Sequence, residues 1–260
     1  MHFQSWTYRE TRLNIKCDEE RAIDAAIHAG ILARAEVERY VGLHPEFRWS
    51  LEPIDLPGRH PRVIELMLRA GKTAGVGPFA AVAGAIAQVA AEAAIEAGAR
   101  NVIVENGGDI AIMGNRDFRI AVFPGPSMDE KRIPLGFHIN AGDLPMGICT
   151  SSGTVGHSIS FGDADAVVVF AREAATADGA ATSIANEVKG SSREGLERGL
   201  QKAGAIGGIL GCLIIYGGDV GKWGSVPELV EVSPSSQELT RRWHEYSTSY
   251  LGAGPFITRR

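Results

Sequence analysis

The segment Asn101-Val102-Ile103-Val104-Glu105-Asn106-Gly107-Gly108-Asp109-Ile110-Ala111-Ile112-Met113 decides the fold class of this chain. Two short apolar runs rich in β-branched residues flank Asn106-Gly107-Gly108-Asp109. Asn and Gly tolerate positive φ, so the segment reads as a hairpin turn joining two antiparallel strands, 101–105 and 109–113. Upstream, Pro78 to Ala97 reads as a long alanine-rich helix stopped by Gly98. Its Gly84 and many alanines imply close packing, most simply against a sheet. Downstream, Phe118 to Phe123, Ile133 to Asn140, Met146 to Thr150 and residues 164–171 read as further strands.

The rest of the chain extends this pattern. Tyr8 to Lys16 reads as a strand leading into a helix over Glu19–Val41, where Ile23, Ile27 and Ile31 recur at four-residue spacing. Phe47, Trp49 and Leu51 alternate with Arg48, Ser50 and Glu52, as in a half-exposed strand. Pro57-Gly58 marks a turn, and Pro61 suits the first residue of a short helix ending at Gly71. Helices follow over Asp178–Val188 and Ser192–Lys202, then strands over Ile209–Tyr216 and Leu229–Val232. Gly217-Gly218-Asp219 and its neighbours read as a loop, and the tail from about residue 234 as polar and irregular. Strand runs and helical pairs alternate without a strict βαβ rhythm. The fold class is α+β: one domain over 1–260, with an antiparallel sheet covered on one face by long helices.

Composition narrows the function classes. The net charge is −5 and no Lys/Arg cluster occurs, so there is no electrostatic footprint for nucleic acid. Cys17, Cys149 and Cys212 form neither an even disulfide framework nor a metal-type pair, which makes a reduced, cytoplasmic setting the default. The start, Met1-His2-Phe3-Gln4-Ser5-Trp6, lacks the apolar core of a signal peptide. Phe79 to Ala97 is interrupted by Gln88, Glu92 and Glu96, too weak a pattern for a membrane span.

Three segments carry candidate chemistry. In Ala175-Thr176-Ala177-Asp178-Gly179-Ala180-Ala181-Thr182-Ser183-Ile184-Ala185-Asn186, Thr176 or Asp178 suits a helix N-cap. Asp178 and Thr182, four apart, share a helix face. Their oxygens suit Mg²⁺ or Ca²⁺, and a helix N-terminus favours a bound phosphate. The plain alternative is a helix cap with a buried threonine. Asn106, Gly107, Gly108 and Asp109 would let backbone approach a ligand, with Asp109 as an oxygen ligand; most such turns are only hairpins. Cys149-Thr150-Ser151-Ser152-Gly153-Thr154-Val155-Gly156-His157-Ser158 offers Ser151, Ser152 and Gly153 to phosphate or a flavin edge. His157 there suits acid–base work, against the alternative of a polar surface turn. Cys149 reads as a small buried residue at a strand end.

Taken in order, Gly-Gly-Asp at 107–109, Ser-Gly with His-Ser at 152–158 and Ala-Asp-x-x-x-Thr at 177–182 resemble the ApbE superfamily, the FAD:protein FMN transferases. The resemblance covers roughly residues 75–190 and implies a T-fold-like architecture of two related halves. It implies that Asp178 and Thr182 bind a divalent ion, Mg²⁺ or Ca²⁺, contacting the FAD pyrophosphate, with Ser152 and Gly153 along an FAD or FMN ligand. In the relatives the reaction cleaves the pyrophosphate and joins FMN to a threonine of a target protein. Gly77-Pro78-Phe79-Ala80-Ala81-Val82 stands where the transferases carry Lys-Gly-Tyr followed by Asp, and Ser160-Phe161-Gly162-Asp163 replaces a longer Asp-Pro-containing loop. The first 70 residues also differ from the transferases' start. These departures point to the short, cytoplasmic branch of ApbE-like proteins, part of which is linked to sulfur assimilation and homocysteine formation. Three functions follow as expectations: a metal-assisted enzyme for a flavin or another phosphate-containing nucleotide, a sulfur-handling accessory protein using Cys149 with a protein partner, and a structural homo-oligomer, such as a homodimer, with a degenerate pocket.

Overall fold

A computed structural model of the chain describes residues 1–121, 135–151, 162–231 and 256–258. The chain opens with a hairpin of β1 (His2–Tyr8) and β2 (Thr11–Cys17), turned at Arg9 with φ +51°. Helix α1 (Glu20–Leu43) buries Ala22, Ile23, Ala26, Ile27, Gly30, Ala33, Val37 and Tyr40, the three-and-four spacing of a single packed stripe. A single helical turn, α2 (Glu46–Trp49), and α3 (Arg62–Ala74) follow; Gly75 ends α3 in the left-handed conformation, which a residue without Cβ adopts freely. A 3₁₀ turn over Pro78–Ala81 then enters α4 (Val82–Glu96).

Strands β3 (Val102–Asn106), β4 (Asp109–Met113), β5 (Phe118–Ala121), β6 (Leu135–Ile139), β7 (Met146–Ser151) and β8 (Ala166–Ala171) come next. Helices α5 (Ala174–Glu187) and α6 (Ser192–Ala205) precede β9 (Ile209–Tyr216), β10 (Asp219–Gly224), β11 (Glu228–Glu231) and β12 (Phe256–Thr258). Among the described residues the main sheet runs β10-β9-β8-β7-β4-β3-β2-β1-β12, every neighbour antiparallel. One pattern occurs twice: a strand pair (β1, β2 or β7, β8), then helices, then a second strand pair (β3, β4 or β9, β10). The two occurrences meet where β4 pairs with β7, at Ile110↔Ile148 and Ala111↔Gly147.

Alternation along the strands sorts side chains into two layers. Val102, Val104, Ala111, Cys149, Val167 and Val169 face the helices and join their core. Ile110, Ile112, Ile148, Val168 and Phe170 face the other way, against a small sheet of β11, β6 and β5. Phe137 meets Phe170 there, ring centroids 4.9 Å apart and edge to face.

The hairpin and the alanine-rich helix stand where the sequence puts them. Pro78–Glu96 is apolar enough, by length and composition, to cross a membrane, yet it packs against α1, α5, β3 and β4 as a core helix. Other expectations are corrected. Phe47 lies in α2 rather than a strand: its ring is buried against Tyr40, and alternation over the six residues 47–52 does not distinguish a helical turn from a strand. β1 was missed, and residues 217–223 are no loop, because Gly217 and Gly218 turn β9 into β10. β5 and β6 leave the main sheet for the small one, so the face away from the helices is also covered. Within the tail read as irregular, Phe256–Thr258 pairs with β1.

Candidate functional site

The site is built on the hairpin, β7 and the facing starts of α4 and α5. Gly107 and Gly108 turn the chain at φ +65° and +106°. The Gly108 N–H donates to Glu105 Oε1 at 2.8 Å, which fixes the turn. Asn106 anchors it from below: its Nδ2 donates to the Ala83 carbonyl at 3.1 Å, and its Oδ1 accepts the Arg12 N–H at 3.3 Å. Asp109 is the first residue of β4 and is buried.

Helix α5 starts at Ala174 with Glu173 as its N-cap, so Thr176 and Asp178 sit inside it and cap nothing of their own. Ala174 and Ala175 extend the helix upstream, and the Thr176 hydroxyl bonds back to the Glu173 carboxylate at 3.4 Å. Asp178 instead serves another helix. Ala81, at the N-cap of α4, has no side-chain oxygen to offer, and Asp178 supplies one: its Oδ2 accepts the Gly84 N–H at 2.8 Å, and the Ala83 N–H also bonds to it. Gln88 of α4 returns the favour, its Oε1 accepting the Ala175 N–H at 3.3 Å.

Two glycines make this closeness possible. A Cβ on Gly84 would stand 2.4 Å from the Ala174 carbonyl oxygen, and one on Gly147 would stand 2.4 Å from the Ala174 Cα. Across the sheet, β7 lies beside β4, and the register Ile110↔Ile148 carries Cys149 alongside Asp109 on the helix-covered face. The Cys149 thiol donates to the Ala174 carbonyl at 3.3 Å and also lies within reach of the Asp109 carboxylate. Ser151 stands two residues further along the same face of β7.

Electrostatics mark this cluster. Burial, reinforced by the charge of Asp178, pushes the Asp109 carboxyl well above the usual aspartate range. Burial pushes Asp178 up to about 7, against the opposing pull of the Gly84 and Ala83 N–H groups. Burial and the two carboxylates push the Cys149 thiol up as well, so it is neutral and unreactive at pH 7. Among the described residues Asp109 Oδ1, Ser151 Oγ and Thr182 Oγ1 are buried without a hydrogen-bond partner, and buried polar atoms rarely stay unpaired.

A hard divalent cation fits this donor set. Two buried carboxyls and the unpaired Thr182 hydroxyl are oxygen donors of the kind Mg²⁺ and Ca²⁺ take. Among the described residues no three His, Cys, Asp or Glu side chains group around a metal position, so the protein supplies few ligands.

Of the residues singled out from the sequence, Asn106, Gly107, Gly108, Asp109, Ser151, Asp178 and Thr182 are described, and the structure joins Asp109 to Asp178 electrostatically. Ser152, Gly153 and His157 lie outside the described residues. Sequence reasoning missed Gly147 and Gln88 and read Gly84 only as a packing residue. A glycine within an alanine-rich helix was the available signal for Gly84; nothing marked the other two.

The chain matches the family described as AbpE bacteria over residues 2–205. It is 40% identical over 240 residues to a UPF0280 protein of Methanosarcina acetivorans, covering 92% of each chain. To a UPF0280 protein of Methanococcus aeolicus it is 40% identical over 224 residues, covering 85% of this chain and 90% of that one. Among solved structures, the flavin transferase ApbE from Vibrio cholerae aligns with a TM-score of 0.51 at 18% identity, covering 86% of this chain and 96% of that one. At that identity the likeness is one of fold.

Proposed function

Because the chain belongs to the AbpE bacteria family and has an ApbE-like fold, we propose that it binds the diphosphate of a flavin nucleotide, FAD, through a divalent cation at Asp178, Thr182 and Asp109. The observation that carries this reading is the set of buried oxygens on Asp109, Ser151 and Thr182 that, among the described residues, have no hydrogen-bond partner, together with the Asp178 carboxyl, which has no cationic partner among them. Such a set is costly unless something else completes it. When bound, the cation would neutralise phosphate charge and assist departure of a phosphate leaving group. Asp178 is held for this role by the Gly84 N–H, and Asp109 offers a second carboxylate from the start of β4. Gly107 and Gly108, with open space where a Cβ would stand, leave the hairpin accessible to a ligand. On this reading Ser152 and Gly153 line the nucleotide and His157 moves the proton. The twice-used strand-pair and helix pattern is read as the two halves of a T-fold.

The sulfur-handling alternative needs an accessible thiolate at Cys149, and a fully buried thiol pushed up by two carboxylates is a poor one. Calorimetric titration of FAD, FMN and ADP, with Mg²⁺ and with EDTA, tests the proposal. Mg²⁺ is expected to tighten binding of the diphosphates, and Asp178→Asn to abolish that gain. Equal affinity with Mg²⁺ and with EDTA would sink the metal assignment.

A further inference from the structure

The α2 turn carries a feature that folding does not require. Phe47 anchors it, fully buried and edge to face with Tyr40 at 4.9 Å, whereas the neighbouring Trp49 is 71% exposed. The Arg48 guanidinium lies 5.0 Å from the Trp49 ring centroid and 5.7 Å from that of Phe79. Among the described residues its contacts are with these rings and with no carboxylate. An exposed indole beside an uncompensated cation and a second ring is the composition of a platform for a planar, anionic aromatic ligand.

The platform is also fixed relative to the site. The Gly77 N–H donates to the Leu51 carbonyl at 3.0 Å. A Cβ on Gly77 would stand 1.7 Å from the Ser50 carbonyl oxygen, so residues 50–51 lie flush on the chain entering α4. Phe79 precedes Gly84, whose N–H holds Asp178, by five residues of 3₁₀ and α geometry, a rise of about 8 Å. Phe79 thus stands about one and a half turns upstream of the amide that holds Asp178.

We propose that Trp49, with Arg48 and Phe79, stacks the planar ring of the nucleotide whose diphosphate occupies the Asp178 site. The inference rests on the function proposed above and names what selects the ligand: the ring, read by residues outside the three sequence motifs. Stacking needs an aromatic face rather than an indole N–H, so Trp49→Phe should retain most of the effect and Trp49→Ala should lose it.

The test compares FAD and ADP with inorganic pyrophosphate, each titrated with Mg²⁺ into the wild type, Trp49→Ala, Trp49→Phe and Asp178→Asn proteins. Trp49→Ala is expected to weaken FAD or ADP binding about 10-fold or more while pyrophosphate binds as in the wild type. Trp49→Phe should restore affinity to within a fewfold. Asp178→Asn should weaken all three ligands. Pyrophosphate binding that is lost in Asp178→Asn, with nucleotide affinity unmoved by Trp49→Ala, overturns the platform and leaves the metal–diphosphate site standing. Failure of every ligand to bind the wild type overturns both. If Trp49→Ala changes the sedimentation of the protein instead of its nucleotide affinity, the indole belongs to a contact between copies and the proposal is wrong.

Discussion

Replacing Gly84 by alanine tests whether the contact between α4 and α5 sets the geometry of the site. Intrinsic propensity alone favours the change, since alanine in a helix interior is better than glycine by about 1 kcal/mol. The surroundings oppose it. The new methyl would stand 2.4 Å from the Ala174 carbonyl oxygen and 2.8 Å from the Asp178 Cβ, where ordinary contact begins at 3.4 Å. The two helices would have to part by about 1 Å, and overpacking of that kind costs about 1–3 kcal/mol. The same displacement stretches the Gly84 N–H···Asp178 bond from 2.8 Å to beyond hydrogen-bonding range. A buried carboxyl that loses its donor costs about 1–3 kcal/mol more. Set against the propensity gain, the net loss is about 1–5 kcal/mol, or roughly 2–20 °C in Tm for a chain of this length. Gly42→Ala is the control: this glycine lies in α1 with nothing near its missing Cβ, so substitution there should leave Tm unchanged or slightly raised. Thermal unfolding followed by circular dichroism, with Mg²⁺ titration of each variant, is the assay. A Gly84→Ala protein as stable as Gly42→Ala would show that the close approach of α4 and α5 is not what holds Asp178.

Three further outcomes are expected. In EDTA, stability should fall as pH rises from about 4 through about 7, because Asp178 binds its proton more tightly folded than unfolded and ionising it in place costs up to about 4 kcal/mol; Asp178→Asn should make the Tm–pH profile shallower, the buried Asp109 carboxyl supplying the slope that remains, and a flat wild-type profile would contradict the assignment. Cys149 should resist iodoacetamide at pH 7 in the folded protein and react only on unfolding, as peptide mapping of the labelled chain would reveal; rapid native-state labelling would instead favour a sulfur-handling role. Asn106→Ala should destabilise the protein by about 1–3 kcal/mol in urea titration, since it removes the hydrogen bonds that Asn106 makes to the Ala83 carbonyl and the Arg12 N–H.

What the sequence made legible follows physical lines. The hairpin at 106–109 and the helix from Pro78 are local: turn chemistry and alanine content specify them without reference to distant residues. The shared face of Asp178 and Thr182 was readable from four-residue spacing. Which terminus Asp178 caps was not, because its donors at Ala83 and Gly84 lie 95 and 94 residues upstream and only the folded chain brings them near. The pairing of Asp109 with Cys149 across β4 and β7 is hidden for the same reason, since register between strands separated by another small sheet has no local signature. Phe47 and Trp49 misled because the alternation over residues 47–52 was overruled by the anchoring of Phe47 against Tyr40.

The exchange of caps between α4 and α5 has a consequence for how the molecule breathes. The first helix belongs to the first strand-pair pattern and the second to its repeat, and each holds the other's leading amides: Asp178 those of Ala83 and Gly84, Gln88 that of Ala175. Neither helix can fray at its first turn without depriving an acceptor side chain on its neighbour of its donor. The two segments should therefore open as one cooperative unit, and deuterium should enter these three amides at a common rate that slows in step when Mg²⁺ is added.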